Sequence, residues 1–190
     1  KSLPIYKQDL AKARALLSKA GVNPSSLNIS YMTPTGYADL VTAATITQAS
    51  LQQIGVTVSI QQLPYGQIVS AYTKPSTSAM MTDIYNSPFT LDPTQFLSEF
   101  QTASSTSSFS HYNSAKLDAL IVKIQATTNK STQQSLLNQA QQLLVNDAPV
   151  IWGGTPETLI PVPNYIHGYV MQTTDYRFPC LFYLLQIAQH

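Results

Sequence analysis

Residues 27–60 read LNISYMTPTGYADLVTAATITQASLQQIGVTVSI, and their periodicity decides the fold class. From Leu27 to Met32, Leu27, Ile29 and Tyr31 alternate with Asn28 and Ser30, the period of a half-buried strand. After the loop Thr33-Pro34-Thr35-Gly36, the residues Leu40, Ala44, Thr47, Leu51 and Ile54 recur at helical spacing until Gly55 closes the helix. Val56, Val58 and Ile60 then alternate with Thr57, Ser59 and Gln61. Strand, helix and strand with short connections form a βαβ unit, whose default sheet is parallel.

Upstream of this unit, Leu10, Ala13, Leu17 and Ala20 make one apolar stripe with Lys12 and Lys19 facing away, so a surface helix is expected, with Gly21 as its left-handed stop. Asn23-Pro24-Ser25-Ser26 turns the chain into the first strand. Downstream, Pro64 opens a third helix to about Thr73, and Ala79 to Tyr85 reads as another buried strand leading into the loop Asn86 to Pro93. A short helix from Thr94 to Phe100 follows, and the Ser- and Thr-rich stretch Thr102 to Ser110 predicts a mobile surface loop. Leu117, Leu120, Ile121 and Ile124 form an apolar face behind Ser114 as N-cap. Ser131-Thr132-Gln133-Gln134 matches a capping box for a helix that Leu136, Ala140, Leu143 and Leu144 carry to Asp147, with Pro149 as its stop. The Pro-, Tyr- and β-branched-rich tail predicts short strands and extended passages. The 190 residues suit one sizeable core, a single α/β unit spanning 1–190.

The composition excludes whole classes of function. Ten basic against nine acidic residues give a net charge of +1, and five of the ten bases fall in the first twenty residues, so no basic face for nucleic acid remains. From Ala20 to Thr73 the one charged side chain is Asp39, yet Thr, Ser, Gln and Asn interrupt every apolar run well short of a membrane span. Gln, Ser, Thr and Asn replace charge as the solvating groups, which suits a secreted protein, and an acidic habitat in which carboxylates would be partly protonated. Cys180, the single cysteine, has no Cys or His cluster around it and reads as a small half-buried apolar residue.

Catalytic groups are scarce. The three His (His111, His167, His190) and two Glu (Glu99, Glu157) show no helical pairing, and no nucleophile elbow, zinc-protease motif or phosphate loop is present. Asp83 and Asp92, nine apart across a loop, are the one pair that could act as acid and base in a hydrolase or sugar-processing enzyme; the alternative is one cap and one solvated carboxylate. No metal site and no cofactor are expected. The aromatics say more: Tyr31, Tyr37, Tyr65, Tyr72, Tyr85, Phe89 and Trp152 mostly fall at strand ends or in the loops after them, the side of a parallel α/β sheet where ligands bind. Tyr31 and Tyr72 read as core filling, whereas Tyr85 and Phe89 flank a loop.

The pattern resembles the C-terminal lobe of the extracellular solute-binding proteins of family 5, the oligopeptide, dipeptide and nickel type that feed ABC importers. Five patches carry the resemblance, in the family's order and spacing: Tyr6 to Gly21, Leu51-Gln52-Gln53-Ile54-Gly55-Val56-Thr57-Val58, Asp92-Pro93-Thr94-Gln95-Phe96-Leu97, Tyr112 to Leu120, and Asp147-Ala148-Pro149-Val150-Ile151. The resemblance implies a type II periplasmic-binding-protein-like lobe, a mostly parallel sheet flanked by helices, with the N-terminal lobe of the same protein absent from this chain. It further implies a noncatalytic, extracellular or periplasmic receptor, monomeric and anchored to the membrane through a segment outside this chain, whose partners are an ABC permease and a solute. Peptide binders of the family carry an acid three residues before the Asp-Pro pair, where this chain has Phe89, and dipeptide binders an Arg in the loop that reads Thr33-Pro34-Thr35-Gly36 here. Without those charge partners, short zwitterionic peptides fit less well than a neutral oligosaccharide or a longer peptide, and nickel or haem fits less well still. The expected contacts are Tyr85, Asn86, Phe89 and Thr35, with Trp152 and His111 at the margin.

Overall fold

The computed structural model describes residues 3, 6–72, 80–85, 92–102, 110–154, 159–170 and 182–188. Asn86, Phe89, Glu157, Cys180, His190 and most of the Ser- and Thr-rich loop lie outside them.

The expected βαβ unit forms. Strand β1 (Asn28–Pro34) leads through helix α2 (Ala38–Gln52) to strand β2 (Thr57–Leu63), and the two strands pair in parallel along their whole length, from Asn28 opposite Thr57 to Pro34 opposite Leu63. Helix α1 (Leu10–Lys19) precedes them, capped by Asp9, whose carboxylate accepts the Lys12 N–H at 2.8 Å. Helix α3 (Tyr65–Tyr72) follows β2 and leads to strand β3 (Met81–Thr82), which pairs in parallel with the other edge of β1. Among the described residues the order is therefore β2-β1-β3, with β1 central. The first crossover runs from β1 to β2 and the second back from β2 over β1 to β3, so right-handedness sets α2 and α3 on opposite faces of the sheet.

Alternation governs burial at first: Ile29 is half-buried and Tyr31 buried, while Asn28 and Ser30 are exposed. From Tyr31 to Pro34 every residue of β1 is buried, because a central parallel strand is covered on both faces. On one face Tyr31, Ala44, Ile54, Val56 and Val58 form a cluster to which α1 adds Leu10, Ala13 and Leu17. β3 is shorter than the expected strand from Ala79 to Tyr85: the pairing covers Met81 and Thr82, beyond which the Asp83 N–H still donates to the Met32 carbonyl at 3.4 Å while its carboxylate accepts the Tyr31 hydroxyl.

Helices α4 (Pro93–Ser98), α5 (Ala115–Ala126) and α6 (Lys130–Asp147) build a second cluster, in which Leu97, Phe100, Leu117, Ile121, Ile124, Ala140 and Leu144 are buried. Ser114 caps α5 as expected. The capping box at Ser131 does not form. Asn129 Oδ1 accepts the Thr132 N–H at 2.9 Å, so the helix starts at Lys130, one residue before the expected cap. Asn is as good an N-cap as Ser, and the earlier cap adds helix without cost. Two short antiparallel strands, β4 (Ile166–His167) and β5 (Gln186–Ile187), answer the expected strands of the tail. Gly168 at φ +75° packs so near the Leu184 carbonyl that a Cβ would collide with its oxygen.

A polar knot ties β3 to β1. The Tyr31 hydroxyl donates to Asp83 Oδ2 at 3.3 Å. Among the described residues, Asp83 Oδ1 and Thr33 Oγ1 are buried without a hydrogen-bond partner; the Thr33 hydroxyl favours the carboxylate as a neighbour but misses hydrogen-bond geometry. Burial pushes the Asp83 carboxyl above its ordinary value; the Thr33 and Tyr31 hydroxyls oppose the shift, and the charge of Asp39 adds to it. Burial, then the Asp83 charge, likewise push the Tyr31 phenol up.

Two expectations follow. Ile121→Ala should cost about 2–5 kcal/mol in urea unfolding, whereas the exposed Val122→Ala should stay within about 0.5 kcal/mol. The native state holds the Asp83 proton more tightly than the unfolded chain, so this group's contribution is most favourable below about pH 4 and is lost as pH rises through its raised native pKa. Asp83→Asn, whose amide can also serve Thr33, should therefore lose less stability than the parent between pH 4 and 7; identical pH slopes in thermal melts would refute this account.

Candidate functional site

The three described parallel strands end on the same side of the sheet, the side on which open α/β sheets bind their ligands. The connection after β1 is pinned by the Thr35 N–H, which donates to the Leu63 carbonyl at the end of β2 at 2.9 Å. Gly36, at φ +87°, then swings the chain into α2 in a conformation that other residues seldom adopt. Tyr37 stands at the N-cap of α2 but makes no side-chain capping bond. After β2, Pro64 starts α3 and its carbonyl accepts the Gln67 N–H, which sets Tyr65 as the first helical residue. Past β3, Tyr85 follows Asp83 by two residues.

These three tyrosines converge. The Tyr37 ring centroid lies 6.0 Å from that of Tyr65 and 5.9 Å from that of Tyr85, with the planes tilted by 39° and 59°. Each side chain is more than a third exposed, so the rings form an open aromatic cup rather than a core. Tilted rings at this spacing attract each other and leave part of their aromatic surface open to a ligand. Thr35 is exposed on the loop that precedes Tyr37.

Of the residues expected from sequence, Tyr85 and Thr35 thus sit at the end of the sheet, and Asn86 and Phe89 lie outside the described residues. Tyr31 is buried in the core, as expected of it. Trp152 packs instead on the helical cluster, its ring 6.1 Å from Phe96 and 6.0 Å from Phe100. There it borders an apolar groove of about 730 Å³ with Leu137, Val145 and Ile151, which offers little to a polar solute. His111 takes a left-handed turn, φ 47°, that leads into the Ser114 cap of α5.

Asp83 and Asp92 are committed to separate tasks. Asp92 caps α4, accepting the Thr94 N–H and hydroxyl, both at 2.8 Å, and these bonds hold its pKa below the ordinary value. Asp83 is tied to Tyr31. Among the described residues no group of three or more His, Cys, Asp or Glu could hold a metal ion. Tyr37 and Tyr65 were visible in the sequence as aromatics just past strand ends, but only the folded chain puts them beside Tyr85.

The family described as bacterial extracellular solute-binding proteins, family 5 Middle, matches residues 1–108. Among solved structures, the ABC transporter-associated periplasmic binding protein DppA from Helicobacter pylori, in complex with peptide STSA, is 25% identical. It aligns with a TM-score of 0.75 over 97% of this chain and 35% of its own. The Escherichia coli murein tripeptide binding protein MppA, 16% identical, gives a TM-score of 0.71 over 95% of this chain and 35% of its own. NikZ from Campylobacter jejuni, in complex with Ni(L-His), is 23% identical with a TM-score of 0.65, over 78% and 32%. This chain therefore spans about a third of the length of these solved relatives. No match was found among curated proteins. The α/β architecture, a parallel sheet flanked by helices, is that of a type II periplasmic-binding-protein-like lobe. With more than half of its residues matched by the family, the chain belongs to the bacterial extracellular solute-binding proteins of family 5.

Proposed function

We propose that this chain forms one wall of the solute cleft in an extracytoplasmic, noncatalytic binding protein that delivers oligopeptides to an ABC importer. The observation that carries this reading is the convergence of Tyr37, Tyr65 and Tyr85 at the carboxyl ends of the parallel strands. A second lobe would complete the cleft; solute touching both walls would favour the closed form, and that form would dock on the permease. Extended peptide suits the cup, since rings stack on side chains while phenolic hydroxyls reach main-chain amides. The peptide held by the H. pylori relative supports this choice over the neutral oligosaccharide that the uncharged rim would also admit.

With Phe89 where peptide binders carry an acid, and Thr33 to Gly36 where dipeptide binders carry an Arg, peptides long enough to be gripped along the main chain should bind better than dipeptides. The hydrolase reading has no support from the site, because Asp92 is spent on a helix cap and the free oxygen of Asp83 is buried. No helix among the described residues is long and apolar enough to cross a membrane. Anchoring through another segment is part of this proposal.

A thermal-shift screen of the full-length protein against di- to pentapeptides, neutral oligosaccharides and divalent metals tests the assignment. A ligand at a hundred times its Kd should stabilise by about 2.7 kcal/mol. Shifts with tetra- and pentapeptides support the proposal, and shifts with sugars or metals alone overturn it. In the same protein, Tyr85→Ala should weaken peptide binding by about 1–2 kcal/mol in calorimetric titration, as loss of a packed aromatic anchor does. An unchanged Kd would remove Tyr85 from the site.

A further inference from the structure

The cup is neutral in composition but not in electrostatic character. Residues 20–72 and 80–85 carry two charged side chains, Asp39 and Asp83, and both are acids. Asp39 lies in the first turn of α2, two residues past Tyr37, and is near enough to Asp83 for its charge to be felt there. The bases of α1 are remote: Arg14 hydrogen-bonds the Gln53 carbonyl at the far end of α2, and Gln53 is fourteen residues, roughly 21 Å of helix, from Asp39. Each tyrosine ring adds a π face of negative potential, and Tyr37 lies about 6 Å from each of the other two. Exposed rings, the adjoining turn that carries Asp39 and the lack of any Lys or Arg among residues 20–72 and 80–85 describe a seat for positive charge.

We propose that Tyr37, Tyr65 and Tyr85, with the Asp39 carboxylate in the turn that carries Tyr37, form a subsite for an ammonium or guanidinium group of the bound solute. This rests on the peptide reading and narrows it. The charged group is either the peptide's amino terminus or a lysine or arginine side chain, and it is met here by ring faces and Asp39 rather than by an acid at position 89. The buried Asp83 contributes negative potential but no contact, since its unpaired oxygen is closed to solvent.

The test uses the full-length protein and four alanine pentapeptides: central lysine or central norleucine, each with a free or acetylated amino terminus. Titration calorimetry at pH 7 should show the doubly cationic peptide binding about 3- to 30-fold tighter than the uncharged-side-chain, acetylated one, the range of cation–π contacts from exposed to desolvated sites. Loss on replacing lysine assigns the seat to a side chain; loss on acetylation assigns it to the terminus. Tyr37→Leu and Asp39→Asn should shrink the ratio, while Tyr37→Phe, which keeps the ring face, should preserve it; thermal melts of each variant confirm folding. Equal binding of all four peptides overturns the subsite and leaves the peptide reading standing. Binding of none overturns both.

Discussion

Everything in the sheet half of this protein depends on the parallel pairing of β1 with β2 over seven consecutive positions. Parallel strands cannot be joined by a tight turn, so α2 must cross over, and a right-handed crossover commits α2 to one face. Once β3 joins the opposite edge of β1, the next crossover lays α3 on the other face and buries β1 from Tyr31 to Pro34. The same constraint gathers the connections after all three strands on one side, which is why residues as far apart in sequence as Tyr37, Tyr65 and Tyr85 share one cup.

The second theme is solvation without charge. Helix α6 shows its working parts: Gln134 donates to Asn138 and Gln142 to Asn146, each one turn on at 3.0 Å, where ion pairs often stand in other helices. Neutral amide pairs do not titrate and are indifferent to salt. Against that background the few carboxylates have local duties: Asp9 and Asp92 cap helices, Asp147 accepts the Tyr112 hydroxyl, and Asp83 ties β3 to the central strand. Among the described carboxylates, Asp83 is the one whose pKa burial raises, and it lies two residues before Tyr85.

Much of the fold was legible beforehand because its signals are local. Alternation marked β1 and β2, helical spacing marked α2 and α5, and Ser114 announced its cap, since each depends on neighbours within one or two turns. Where two local signals competed, only the structure could arbitrate: Asn129 and Ser131 both suit an N-cap, and Asn129 takes it. β3 was overread because Ile84 and Tyr85 extend the run of apolar residues, whereas the pairing with β1 covers only Met81 and Thr82. Of the expected contacts, Tyr85 and Thr35 were legible as residues just past strand ends, whereas Trp152, read with the loop aromatics, packs on the helical cluster.

The sequence by itself determined the order of helices and strands, the parallel βαβ core and the family patches, because periodicity, capping chemistry and composition are properties of short stretches. Tertiary structure alone decided that three tyrosines from three connections meet, that Asp39 and Asp83 lie within electrostatic reach, and that Asp92 serves as the cap of α4. Those are contacts between residues tens of positions apart, set by strand order and crossover handedness, and no local period encodes them.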